Sequence, residues 1–344
     1  MLLVARTTAI LIGLLLTVYL SFQISPWPSA LLVRRNMNEE GIAVARALER
    51  HVPPGIIANL NVRYDRTDED AYLDVFLPRD AETTGRPLAA IVWVHGGGWL
   101  AGSKDLIANY LKILASKGYA TIGVNYSLAP AKTYPTPVRQ LNAALAYISL
   151  NAERMNIDAS RLILAGDSAG AQIAAQLALI ISSPDYSKNV GIIPSIPRSN
   201  LDAVILYCGF YDGQNIRPGT SLRTLLWSNL RTMFWSYFGI KNYSNDARLE
   251  QFSVPRHITG GLPRIFISVG NRDQLAPQSY MLAEIAKAKG VPVDSLFFPE
   301  SYSPSLRHEY QFDLDSDAGK LALQRSLEFL ADERPRPVGE PSAQ

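Results

Sequence analysis

The chain has 344 residues, 47% apolar and 19% charged, enough for one large core and within the range of a single big α/β domain. Its 33 lysines and arginines against 31 acids leave no positive excess, and no basic tract is interleaved with aromatics, which excludes nucleic-acid binding. Cys208 is the only cysteine, so an internal disulfide and a cysteine-rich metal site are excluded; within the apolar run 203–208 it reads as a small core residue.

In chain order, residues 7–24 carry no charge and are long enough to cross a bilayer as a helix. Arg6 precedes them, and Pro26-Trp27-Pro28 follows, with Trp27 suited to a membrane interface. No Ala-x-Ala-like cleavage pattern lies near residues 21–25, so an uncleaved anchor over residues 1–30 is expected. A cleaved signal segment and an apolar arm packed on the protein are the alternatives. Arg34, Arg35 and Arg46 outnumber Arg6, which by the positive-inside rule favours a cytoplasmic catalytic domain.

The catalytic domain is expected over 36–331, and the Pro-rich, charged segment 332–344 reads as a disordered tail. Residues 39–51 are amphipathic and helical, and 57–77 alternate as two antiparallel strands around the polar turn Thr67-Asp68-Glu69-Asp70. From 87 to 94 the run is continuously apolar, the mark of a strand buried on both faces of a parallel sheet. Further strands are predicted over 119–124, 162–165, 203–208, 265–269 and 295–298. Helices are predicted between them over 106–117, 138–155, 169–182 and 277–289. This alternation predicts a parallel sheet with helices on both faces, whose chemistry gathers at the C-terminal strand ends.

Four chemical signals fall at such ends. Gly166-Asp167-Ser168-Ala169-Gly170 follows one strand and opens a helix, as in a nucleophile elbow. There the glycines are needed because strand and helix approach too closely for a Cβ. In isolation a Ser/Gly helix cap reads the same way. His95-Gly96-Gly97-Gly98-Trp99 follows another strand and lets backbone approach a substrate. Gly97, Gly98 and Ala169 are the expected oxyanion donors, each able to lower a barrier by about 3–4 kcal/mol. A serine hydroxyl needs a base beside it. Of the four histidines, His51 lies in the N-terminal helix, His95 more simply shapes the glycine loop, and His257 precedes a strand and sits at the wrong edge. His308 alone follows both serine and acid, the chain order such folds use. Asp273 and Asp212 each follow a strand and compete for the acid that orients the imidazole.

His-Gly-Gly-Gly-Trp with Ala-Gly-Ser-Lys104, Val-Asn-Tyr-Ser-Leu-Ala-Pro130 and Gly-Asp-Ser-Ala-Gly170 together resemble the hormone-sensitive-lipase-like esterases, in their bacterial branch near acetyl and feruloyl esterases. The resemblance spans about residues 87–330. It implies the α/β-hydrolase fold, a mostly parallel eight-stranded sheet with helices on both faces and a small helical lid. It also implies small to medium carboxylic esters as substrates, no cofactor and no metal, and the acid at Asp273 rather than Asp212. Three departures from the pattern stand out: Tyr126-Ser127-Leu128-Ala129-Pro130-Ala131 lacks the usual charged pair, Gln140 replaces a frequent Asp, and His308-Glu309-Tyr310-Gln311-Phe312 follows an extended loop.

Within an insertion at about 213–260, Leu222, Leu225, Leu226, Leu230, Met233, Phe234, Tyr237 and Phe238 recur at helical spacing. The stripe is either a helix packed on the core or a lid forming an acyl pocket beside Ser168, with Trp99, Phe234 and Trp235 as candidates. On the lid reading, a polar residue at 234 or 235 shortens the preferred acyl chain without unfolding the protein. Two other functions are compatible with the resemblance. One is an amidase or formamidase on the same triad. The other is a receptor-like, ligand-binding version of the fold, which characteristically lacks a triad member.

Overall fold

The computed structural model describes residues 2–81, 85–214 and 223–332. The expected disordered tail and Leu222 of the expected lid stripe lie outside the described residues, as do the side chains of Leu225 and Leu226.

Among the described residues, eight strands form one sheet in the order β1-β2-β4-β3-β5-β6-β7-β8. The strands are β1 Ile56–Arg63, β2 Tyr72–Pro78, β3 Leu88–Val94, β4 Ala120–Val124, β5 Ile157–Asp167, β6 Leu201–Tyr207, β7 Arg264–Val269 and β8 Val293–Phe297. Pairs β1–β2 and β2–β4 are antiparallel, and the rest of the sheet is parallel. The continuous apolar runs follow from burial on both faces. Ala90, Val92 and Val94 of β3 join Leu162 and Leu164 of β5 in one core, whereas Ile91 and Trp93 join Ile163 and Ala165 in the other.

Helices α3 Lys104–Ala115, α4 Thr136–Leu150 and α5 Ser168–Ser182 complete the central crossovers. Val138, Leu141 and Leu145 of α4 and Ile173 and Leu177 of α5 cover the first core, while Ile107, Leu111 and Leu114 of α3 cover the second. α5 is buried along nearly its whole length, which explains its lack of a polar face. After α6 Pro184–Val190, the insertion contributes α7 Arg223–Phe238 and α8 Arg248–Phe252. α9 Ala276–Ala288 and α10 Asp317–Ala331 complete the layers, and α10 lies on the second core through Ala318, Ala322 and Phe329.

The N-terminal helices depart from expectation in extent. α1 Leu2–Ile24 contains a 21-residue apolar stretch, Val4–Ile24, that is long and apolar enough to cross a membrane and is exposed along nearly its whole length, with Lys241 meeting its C-terminal end at the Gln23 carbonyl. Such exposure fits an anchor or a signal segment rather than an arm folded onto the protein. α2 runs Trp27–Glu49, twelve residues further towards the N-terminus than the amphipathic pattern predicts. Its first half escapes the pattern because Leu31 and Leu32 are exposed while Arg34 turns inward to donate to the Leu100 and Ala129 carbonyls at 2.6 and 2.8 Å. α2 packs on α3 and α7.

Two of the sequence departures have a structural role. Ser127 donates to Asp70 at 2.6 Å, and Gln140 donates to Asp68 at 2.6 Å while accepting from the Ser127 amide at 2.8 Å. A hydroxyl and an amide thus tie the acidic turn between β1 and β2 to α4, in place of an ion pair.

Candidate active site

The turn from β5 into α5 brings Ser168 above the sheet with φ +50°, a left-handed conformation that a side-chain-bearing residue adopts only under constraint. The constraint is close packing. A Cβ on Gly170 would collide with the Val94 carbonyl oxygen, and one on Gly166 would sit 2.6 Å from the Gly170 carbonyl carbon. Only glycine at both ends lets α5 approach β3 this closely.

The structure brings together residues expected from four strand ends. His308 Nε2 lies 3.0 Å from Ser168 Oγ, and its Nδ1 lies 2.7 Å from Asp273 Oδ2. Asp273 Oδ1 accepts the Leu275 amide at 2.8 Å, so the carboxylate is held from both sides. Asp212, its rival, instead faces Arg256 at 3.6 Å and accepts the Gln214 amide. Burial alone would lower the His308 pKa, but Cys208 and Asp273 outweigh it and hold the imidazole above the ordinary histidine value. Burial pushes the Cys208 thiol up to about 11, so it stays protonated at neutral pH. Cys208 is buried, as a core residue should be, yet its sulfur and the donor atoms of Asp273 and His308 lie within 4.8 Å of one another.

His95 shapes the glycine loop. Its Nδ1–H donates to the Gly96 carbonyl at 2.7 Å, and its ring stacks on Tyr126 with 4.3 Å between centroids. Burial pushes its pKa down to about 4, so the ring is neutral. Gly97 and Gly98 follow with φ +105° and +59°. A Cβ on Gly98 would meet Met233 of α7 at 2.9 Å, so the insertion helix rests directly on this loop. Ala169 is the second residue of α5, where helix geometry leaves backbone N–H groups without intrahelical acceptors.

Asp167 was not singled out from sequence, although it lies inside the elbow motif. Its carboxylate accepts Trp93 Nε1–H at 2.7 Å and the Gly96 amide at 2.8 Å, joining elbow, sheet and glycine loop. Burial and the nearby Glu309 charge push its carboxyl up to about 8, against the pull of those two donors.

A cavity of about 240 Å³ opens at Ser168 and His308. Its walls come from Met37, Glu40, Gly41 and Val44 of α2, from Leu106 and Ile107 of α3, and from Gly97 and Phe312. Among the described residues, the three expected pocket residues do not line it. Trp99 and Phe234 are fully buried in an aromatic cluster with Phe210, Tyr237 and Phe252, the two rings 5.6 Å apart. Trp235 is also buried, with Lys241 Nζ 5.1 Å above its ring. Phe234 therefore follows the core reading of the stripe. Phe234→Ala is expected to cost about 3–4 kcal/mol, seen as a lower denaturation midpoint with an unchanged acyl-length profile among molecules still folded. A shortened acyl preference at wild-type stability would restore the lid-pocket reading.

An elbow serine, a glycine loop and a histidine–carboxylate pair at the C-terminal edge of this sheet define an α/β-hydrolase. Residues 91–302, over half of the chain, match the alpha/beta hydrolase fold family, and the chain belongs to it. Solved structures with the same fold include esterase B from Lactobacillus rhamnosis, 22% identical over 88% of this chain and 96% of that one, with a TM-score of 0.72. The thermostable carboxylesterase EstE1 from a metagenomic library is 20% identical over 90% and 98%, with a TM-score of 0.69. The esterase of the archaeon Pyrobaculum calidifontis is 19% identical over 93% and 96%, with a TM-score of 0.68.

Proposed function

We propose that this protein is a serine carboxylic-ester hydrolase acting on small to medium acyl esters through Ser168, His308 and Asp273. The observation that carries the reading is the unbroken line from Ser168 Oγ through the His308 ring to Asp273, at 3.0 and 2.7 Å. In this reading His308 Nε2 takes the serine proton as Oγ attacks the ester carbonyl carbon. The oxyanion so formed faces the amides of Gly97, Gly98 and Ala169. Collapse of the tetrahedral intermediate expels the alcohol, protonated by His308, and leaves an acyl-enzyme. Water, deprotonated by the same histidine, then releases the acid. Asp273 keeps Nδ1 protonated and stabilises the imidazolium. The esterases among the structural neighbours support this chemistry. A cavity smaller than the roughly 300–1,000 Å³ typical of drug-sized ligands supports short ester arms.

The reading includes α1 as a membrane anchor, supported by its exposed apolar surface. Full-length protein in detergent is expected to hydrolyse p-nitrophenyl butyrate with a burst of p-nitrophenol, and anilides far more slowly. A chain lacking residues 1–25 should keep that activity and leave the membrane fraction, because α2, which walls the cavity, is retained. Absence of hydrolysis by both forms would overturn the esterase reading, whereas an active truncated chain that stays with membranes would overturn the anchor alone.

A further inference from the structure

Apart from His308, the charged side chains that line the cavity are acidic. Glu40 enters it from α2 and Glu309 from the residue after His308, whereas Asp167 of the elbow, its carboxyl pushed up to about 8, adds little charge at neutral pH. No lysine or arginine lines it among the described residues. Glu309 Oε1 stands 3.7 Å from His308 Nε2, and among the described residues His308 is the only cationic side chain within 4.0 Å of it. Glu309 is also held at φ +60°, a backbone conformation that favours glycine, yet it carries a carboxylate that lines the cavity. Around it the wall is apolar, with Met37, Val44, Leu106, Ile107 and Phe312, so a charge brought in by substrate meets the half-buried Glu309 with less screening than at an open surface, whereas the exposed Glu40 acts through more water.

We propose that this cavity selects ester arms by charge, accepting neutral and cationic ones and excluding anionic ones, with Glu309 as the specificity-determining residue and Glu40 in support. The inference rests on the ester-hydrolase reading. An anionic arm would place like charges side by side, and such juxtaposition is a strong means of rejecting a wrong ligand. A quaternary ammonium or an uncharged arm meets no such obstacle.

The experiment compares kcat/KM of full-length protein in detergent for three kinds of ester. One is neutral, one carries a terminal carboxylate and one a quaternary ammonium, with the charge placed on the acyl arm in one set and on the alcohol arm in another. Each value is normalised to the rate of hydroxide-catalysed hydrolysis. On the arm that the cavity holds, the neutral ester is expected to be preferred over the anionic one by about tenfold or more. Glu309→Gln should reduce that ratio several-fold, and Glu40→Gln should reduce it less. Because the readout is a ratio, loss of folded protein cancels. Ser168-dependent hydrolysis of the neutral ester, with a wild-type ratio near one on both arms or a ratio unmoved in both variants, would overturn the charge proposal alone. Failure to hydrolyse the neutral ester would overturn the esterase reading and this inference with it.

Discussion

Replacing Ser168 with alanine is expected to lower kcat for p-nitrophenyl butyrate by about four to six orders of magnitude. The size of the effect follows from what the site must do. Without Oγ no acyl-enzyme forms, and the remaining route is direct attack by water, aided only by the glycine-loop amides and by binding. The fold should be untouched. Alanine keeps the Cβ that already occupies the left-handed φ of +50°, and among the described residues the only side-chain hydrogen bond of Ser168 is the one to His308. Unfolding midpoints of the two proteins should therefore agree within a few degrees, which separates chemistry from stability. His308→Ala should be comparably inactive. The double variant should be little worse than either single one, since groups that act as a unit do not lose their effects additively. An alanine variant within tenfold of wild type would sink the assignment of Ser168 as nucleophile.

The strands nearest the site were legible because burial on both faces leaves an unmistakable apolar run. β3, β6 and β7 begin and end within two residues of those runs. β5 was read short: it starts at Ile157, but Asp158, Ser160 and Arg161 reach solvent at its N-terminal end and break the run. The meeting of Ser168, Asp273 and His308 could be anticipated because each follows a parallel strand, and strand direction alone puts such residues on one edge. What the chain order could not convey is the cavity. Met37, Glu40, Gly41 and Val44 lie more than a hundred residues before Ser168, and no local spacing announces that α2 will cross in front of it. The place of Phe234 stays open in the sequence for the opposite reason. Helical spacing identifies an apolar stripe but not what the stripe faces, and here it faces Trp99 and Phe252 in the core. Glu309 and Asp167 sit beside recognised motif residues, but a carboxylate in a loop is ordinarily solvated. Their significance lies in what surrounds them after folding.

Gly170→Ala is expected to be the most damaging single-methyl change in the site, costing about 5 kcal/mol or more, in the range reserved for exceptional substitutions. The added carbon would strike the Val94 carbonyl oxygen and lie 2.5 Å from that of His95, and both are backbone atoms at the end of a central strand. A flexible side chain could swing aside, but a strand hydrogen-bonded on both flanks cannot, because β3 is paired with β4 on one side and β5 on the other. Relief would require α5 to lift away from the sheet, which strips apolar contacts from Ile173 and Leu177 along a helix buried on nearly every side. The same movement would separate Ser168 from the loop that begins at His95, so whatever folds should also lose activity. Gly118→Ala is the contrasting control: its φ of +93° strains alanine by backbone conformation alone, since a Cβ there would meet nothing within 4 Å, whereas Gly170 sits in a helix with no left-handed φ. Thermal unfolding of the two variants should therefore diverge sharply, with the Gly118 change costing about 1 kcal/mol. Equal midpoints would mean that the close approach of α5 to β3 carries no weight in positioning the serine.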